Sequence, residues 1–377
     1  MVGEGKRKRT IAIEEAVVTA AVVSAGFALQ FTLGSFDKAF LAFPVNIIAL
    51  AAFGTLFFIK RGKFLSRLSS GSLSVILLTL ILFSTLYMGL VPGNRVKLSW
   101  PFILIYLMTL INITAVISVH LKSFSKKSIP FLLNHFGVLI LLYAAGLGSA
   151  DKSRYFMRVN EGEVEWRADQ SGFGARDALK ELPIAISLKN FEIEEYPPKL
   201  AIIERATGEA LPKGRPLLFP AELNNFAQIE GWSIKVDSLK YLPRYAPTAY
   251  VLVTSQGTND TLRGWVSCGN HFQRHKTLDI NENFCVAMTF PEPKAYSSDV
   301  IVYTRSGKER GGIVMVNSPL TVGSWKIYQH SYDTQKGRDS QWSRFELVYD
   351  PWFIPALIGI IMMIAGAITL FWKGGAR

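Results

Sequence analysis

Cysteine is scarce in this chain. Only Cys268 and Cys285 occur in 377 residues, and they form no Cys-x-x-Cys motif, which argues against thiol–disulfide exchange as the chemistry. Histidine is sparse as well, with five residues. No glycine-rich phosphate loop follows a strand-like segment, and no carboxylate pair or Ser/His/Asp arrangement can be read from the spacing. The most informative absence is charge. Six stretches contain no Asp, Glu, Lys or Arg: Ala16–Phe36, Ala39–Ile59, Leu68–Asn94, Leu98–Val119, Ser128–Ala150 and Pro351–Trp372. The shortest of them has 21 residues, and roughly 20 apolar residues cover a bilayer core. Six transmembrane helices are therefore expected, five before a long polar segment and one after it.

The formal net charge is +12, but its distribution points to membrane topology rather than to nucleic acid. Thirteen basic residues fall at one set of stretch ends: Lys6 to Arg9, then Lys60, Arg61, Lys63 and Arg67, then Lys122, Lys126 and Lys127, and finally Lys373 and Arg377. The opposite short loops hold three: Lys38, Arg95 and Lys97. Short cytoplasmic loops are enriched in Lys and Arg, so both termini are expected in the cytoplasm of a bacterium and the polar segment in its periplasm. The lipid bilayer is the inner membrane on this reading. In the polar segment, basic residues alternate with acids and form no stripe for nucleic acid. The first stretch reads as a retained helix, because Gln30-Phe31-Thr32-Leu33-Gly34 is a poor small-residue cleavage site. The expected divisions are a cytoplasmic N-terminus (1–10), a five-helix membrane region (11–150), a periplasmic domain (151–350) and a sixth helix with a cytoplasmic tail (351–377).

Apolar residues in the polar segment recur mostly with period two. Thr248–Val253, Asp299–Thr304, Gly312–Val316, Ser324–Gln329 and Phe345–Tyr349 read as strands, with Gly, Pro, Asn and Ser between them. A mainly antiparallel β domain is expected, a sandwich or barrel, with a short helix near Ala175–Leu182. Cys268 and Cys285 lie in this segment, where an oxidising compartment permits a disulfide closing a hairpin; two unpaired thiols are the alternative. Pro351 and Pro101 open the sixth and fourth stretches, as proline does in a first helical turn.

Four of the histidines have ordinary explanations. His120 ends the fourth stretch beside Lys122 as an interfacial polar residue. His271 and His275 have the i, i+4 spacing of a helical metal site, but their surroundings have strand and turn character. His330 follows a strand segment. His135 is different: it lies inside the fifth stretch, roughly 8 Å along a helix from Pro130. Ionisable groups inside membrane helices are costly and usually functional. An axial haem ligand, a proton relay or an interhelical hydrogen bond would each explain it. Gly137, Gly146 and Gly148 thin the same helix, for close packing or for a flat cofactor.

Three groups of residues resemble the ResB/CcsB family of system II cytochrome c biogenesis. They are Ser99-Trp100-Pro101-Phe102-Ile103; Phe131-Leu132-Leu133-Asn134-His135-Phe136-Gly137 through Gly148-Ser149-Ala150-Asp151; and Trp325-Lys326-Ile327-Tyr328-Gln329-His330-Ser331-Tyr332-Asp333 with Leu347-Val348-Tyr349-Asp350-Pro351-Trp352. Gly264-Trp265-Val266-Ser267-Cys268-Gly269-Asn270 and Phe290-Pro291-Glu292-Pro293 extend it. The resemblance implies a non-autonomous subunit of a holocytochrome c synthase. Such a subunit works with a CcsA-like haem-handling membrane subunit, moves haem b in transit across the membrane and presents it to apocytochrome c. His135 matches the transmembrane histidine that ligates haem iron in such complexes. Two departures stand out. Many members have four helices where six are expected here, and no tryptophan-rich haem motif is present, which implies that the partner supplies the rest of the haem platform. The competing reading is a membrane-anchored envelope assembly or apocytochrome-binding protein without haem contact. A transporter subunit is less well supported, because the remaining stretches offer only scattered Asn46, Asn112, Asn134 and Thr residues.

Overall fold

A computed structural model describes residues 2–60, 62–171, 179–257 and 260–374. The chain divides into two compact units, one formed by residues 1–153 with 349–377 and the other by residues 154–348.

The first unit is helical. It contains α1 (Val2–Leu33), α2 (Val45–Thr55), α3 (Lys63–Leu68), α4 (Gly71–Leu90), α5 (Trp100–Lys122), α6 (Ile129–Ala145) and α7 (Phe353–Gly374). Local chemistry sets several helix starts. The Ser70 and Ser99 side chains accept from the backbone N–H groups of Leu73 and Phe102, capping α4 and α5. Pro101 and Pro130 occupy the first turns of α5 and α6, where a missing N–H costs nothing.

Among the described residues, five segments are long and apolar enough to cross a membrane: Thr10–Leu33, Lys63–Leu90, Trp100–Lys122, Lys126–Asp151 and Phe353–Trp372. The expected second span, Ala39–Ile59, differs from the rest. It forms a short 3-10 turn at Lys38–Leu41 and then α2, which has 11 residues and a length of only about 17 Å. Its contacts nonetheless reach both ends of the neighbouring helices. The Asp151 carboxylate accepts from Phe43 N and Asn46 Nδ2, each at 2.7 Å. At the other end, Ser118 Oγ donates to Leu56 O at 2.9 Å, and Lys122 Nζ donates to Ile59 O.

Helices α6 and α7 pack backbone to backbone. A Cβ at Gly137 would lie 2.5 Å from Gly359 O and 2.8 Å from Met363 N. Gly366 likewise admits Asn134. Gly146 and Gly148 receive the Tyr106 ring and the Trp352 indole. All three glycines of the fifth stretch are thus used for close packing within the unit.

The second unit is built from β1 (Ser153–Asn160), β2 (Val164–Ala168), β3 (Lys180–Glu195), β4 (Lys199–Glu204), β5 (Phe219–Pro220), β6 (Phe226–Ile229), β7 (Trp232–Lys240), β8 (Thr248–Ser255), β9 (Thr261–Ser267), β10 (Leu278–Asp279), β11 (Phe284–Met288), β12 (Pro293–Thr304), β13 (Glu309–Met315), β14 (Leu320–Val322), β15 (Trp325–Tyr332) and β16 (Trp342–Tyr349). They form four four-stranded sheets, ordered β1-β16-β15-β14, β10-β11-β4-β5, β13-β12-β3-β2 and β6-β7-β8-β9. Pairing through the last three sheets and between β14 and β15 is antiparallel. The period-two pattern explains the burial. Ala249, Val251 and Val253 of β8 point inward and meet Leu200, Ile202, Val286 and Met288 from β4 and β11, so two of the sheets share one sandwich core. The helix expected near Ala175–Leu182 falls partly outside the described residues, and Lys180–Leu182 opens strand β3.

The cysteine pair needs correction. Cys268 and Cys285 are both buried, and both are free thiols. Strand geometry gives the reason. Cys268 lies in the sandwich core with Val286 and Met288, and side chains alternate along β11, so Cys285 faces the opposite side of its strand.

Candidate functional site

His135 sits one turn into α6, and its ring is held on two sides. Nδ1 lies 2.9 Å from Phe131 O, four residues back. A carbonyl can only accept, so Nδ1–H donates to it, and Nε2 is the ring nitrogen this bond leaves over. The imidazole also stacks on Phe131, with centroids 3.7 Å apart and planes 23° apart. His120, in the last turn of α5, stacks on Phe131 at 4.0 Å and 26°. Its Nδ1 is likewise 2.9 Å from Val116 O. Two rings this close to a third must occupy its opposite faces, so Phe131 is sandwiched between the two histidines. Each imidazole is fixed through Nδ1 by a carbonyl of its own helix, and a hydrogen bond at one ring nitrogen sets the orientation of the ring. His135 is half-buried, and its ring is oriented by Phe131. His120 was legible in sequence only as an interfacial residue; its link to Phe131 comes from the pairing of α5 with α6.

Among the described residues, no cluster of three or more His, Cys, Asp or Glu side chains could hold a bare metal ion. His271 and His275 do not converge on one. His271 Nε2 donates to Gln335 O at 2.7 Å, and both residues lie in an exposed loop. His330 packs edge-on against Phe156 at 4.9 Å.

Two buried or clamped acids escaped the sequence reading. Asp151 accepts from Trp352 Nε1 at 2.7 Å, in addition to Phe43 N and Asn46 Nδ2. It thereby joins the start of α2, the segment after α6 and the start of α7. Its signal was its place immediately after an uncharged stretch. Glu15, just before the first such stretch, is 8% exposed. Its Oε2 accepts from Ser72 Oγ, while Oε1 is buried without a hydrogen-bond partner. Asn112 caps the end of α3, its Nδ2 donating to Leu68 O at 2.7 Å and its Oδ1 accepting from Ser74 Oγ at 2.8 Å.

The second unit carries a cleft of about 1260 Å³. Four connections between strands meet around it: the β7–β8, β9–β10, β11–β12 and β15–β16 loops. Asn270 organises two of them. Its Oδ1 accepts from Phe272 N and Gln273 N, each at 3.0 Å, and its Nδ2 donates to Arg244 O at 2.8 Å. Gly269 at φ +73° makes the turn, and a Cβ there would lie 2.5 Å from His275 N. Ser267 Oγ donates to Pro247 O at 2.9 Å. The third loop is tied in by His271 and by the Arg338–Glu195 ion pair at 2.6 Å. Cys268 lines the cleft but is only 5% exposed. Burial pushes its thiol pKa up, away from the thiolate that nucleophilic or redox chemistry requires. Cys268 is therefore a packed wall residue of the cleft rather than a ready nucleophile.

No curated protein matches the chain. Residues 239–340 match the family model described as the ResB-like family, and they supply the whole cleft lining except Glu195. Over the segment that builds this cleft, the chain is similar to the ResB-like family.

Proposed function

We propose that this chain is a subunit of a membrane cytochrome c synthase that helps move haem across the bacterial inner membrane and present it to apocytochrome c. The observation that carries the proposal is the His135 imidazole, whose Nδ1 is committed to Phe131 O and whose Nε2 is left as a donor. The ResB-like match adds the context of cytochrome c biogenesis. On this reading haem is cargo, and His135 supplies one axial nitrogen to its iron. A CcsA-like membrane partner supplies the remainder of the haem platform. The covalent chemistry adds each thiol S–H of the apocytochrome across a haem vinyl C=C, which forms a thioether without net oxidation or reduction. The chain positions haem for that addition and is not autonomous in it.

The proposed topology has six crossings, both termini cytoplasmic and residues 151–350 periplasmic. The five long spans support it. So do the bonds from the second stretch to Asp151 at one end and Lys122 at the other, which let a short helix with extended flanks serve as a crossing. A transporter reading gains little from the buried amides, because the Asn46 and Asn112 side-chain N–H groups donate to Asp151 and to Leu68 O.

Co-expression with the partner subunit and a reporter apocytochrome c tests the proposal. Covalent haem should appear on the reporter only when this chain is present. Equal yield without it would remove the chain from the pathway.

A further inference from the structure

The cleft of the second unit has a composition the haem reading does not use. Its walls carry Tyr241, Tyr245, Phe290 and Tyr332, and three of these leave about half or more of their surface in solvent: Tyr241 at 49%, Tyr245 at 52% and Phe290 at 70%. Single exposed apolar residues are ordinary, whereas several gathered on one concave surface mark a binding site. Tyrosine and arginine together are the residues that carry most binding energy at protein interfaces.

The charges are also one-sided. Arg244, Arg274 and Lys336 line the cleft, and none forms an ion pair or cation–π contact among the described residues. Of the two acids there, Glu195 is already paired with Arg338, which leaves Asp339. Arg244 is held at φ +66°, a left-handed conformation that is strained for a bulky residue. The Asn270 bond to its carbonyl keeps it there. Such strain at a cation beside a cleft is what a site that pre-sets a charge would show.

Size selects among anionic ligands. Small-molecule pockets run from roughly 300 to 1,000 Å³, and at about 1260 Å³ this cleft is larger. We propose that the four-loop cleft of the second unit is a docking site for an acidic, extended polypeptide segment of another protein. Aromatic walls receive its side chains, and Arg244, Arg274 and Lys336 receive its carboxylates. The inference does not depend on His135, so either can fail without the other.

The test uses the full chain in lipid nanodiscs and fluorescence anisotropy with three labelled decapeptides of alternating residues: Glu-Tyr, Gln-Tyr and Lys-Tyr. The Glu-Tyr peptide should bind best, and more weakly as salt is raised. The double variant Arg244→Glu, Arg274→Glu should weaken it about tenfold or more, as loss of rim cations does, while Lys189→Glu, outside the cleft lining, should leave it unchanged. Equal binding of the three peptides, or binding that survives the double variant, would overturn the proposal. So would ferric protoporphyrin binding lost in the double variant with no peptide binding at all, which would make the cleft a porphyrin site. Circular dichroism of the double variant guards against misfolding; if it is unfolded, Lys336→Glu with Arg274→Gln takes its place.

Discussion

A histidine in an apolar helix is unremarkable until its nitrogens are accounted for. Phe131 O takes the proton of His135 Nδ1, and Phe131 and His120 fix the ring plane. What remains is Nε2, and the proposal that His135 ligates haem iron rests on that nitrogen. Titration at the residue level is more visible in the second unit. Burial raises the pKa of Cys268, Tyr241 and Tyr332. Below the ordinary cysteine and tyrosine range, about 8.5 to 10, these groups are neutral in both the folded and the unfolded chain. As pH rises through that range the unfolded chain ionises first, so the stability they confer is lost. The thermal midpoint of the second unit should fall steadily above about pH 9, and Cys268→Ser should blunt the first part of that fall. A midpoint flat to pH 11 would contradict the buried, protonated assignment. Iodoacetamide should also modify Cys268 more slowly than a free cysteine at the same pH.

At the level of elements, the contact between α6 and α7 depends on glycine. Gly137→Val would drive methyl groups into the Gly359 carbonyl and the Met363 backbone, and overpacking of this kind costs about 1–3 kcal/mol. Gly54→Ala, with open space around it in α2, should be neutral or slightly stabilising, since alanine is the better helix former. Thermal unfolding in detergent should separate the two; equal midpoints would remove the glycine seam from the account. These elements also show what the sequence could and could not reveal. Absence of charge located every long helix, because the bilayer imposes a minimum length and a composition. Period-two burial located β8 and β15, because each has one face in a core. Absence of charge did not reveal that Ala39–Ile59 winds into only 11 helical residues, because its polar ends are satisfied by Asp151, Ser118 and Lys122, which lie far away in sequence. The same limit applies to the glycines, whose partners lie on α5 and α7, and to Cys268 and Cys285, whose spacing fits a hairpin although their strands face them apart.

For the molecule as a whole, the proposed crossings assign each loop to a side. With single cysteines introduced at Ser123 and at Ser306, a membrane-impermeant maleimide added to spheroplasts should label the Ser306 position and spare the Ser123 position until the membrane is opened. Both residues are exposed, and the native thiols are buried and serve as the unlabelled background. Labelling at Ser123 in closed spheroplasts would invert the topology and place the second unit in the cytoplasm. The His120–Phe131–His135 stack follows from the pairing of α5 with α6 and was not visible in either stretch alone. The cleft likewise is assembled from four separate connections; Gly264–Asn270, His271, His275, Phe290–Pro293 and Trp325–Asp333 drew notice in the sequence, but not as parts of one cleft.

The most direct test of the account is the yield of covalent haem on a reporter apocytochrome c co-expressed with this chain and its partner, comparing His135 with His135→Ala. The variant should lose holocytochrome, and added imidazole should restore it by supplying the missing nitrogen to iron. Normal yield from His135→Ala without imidazole would contradict a role for this histidine as a haem ligand.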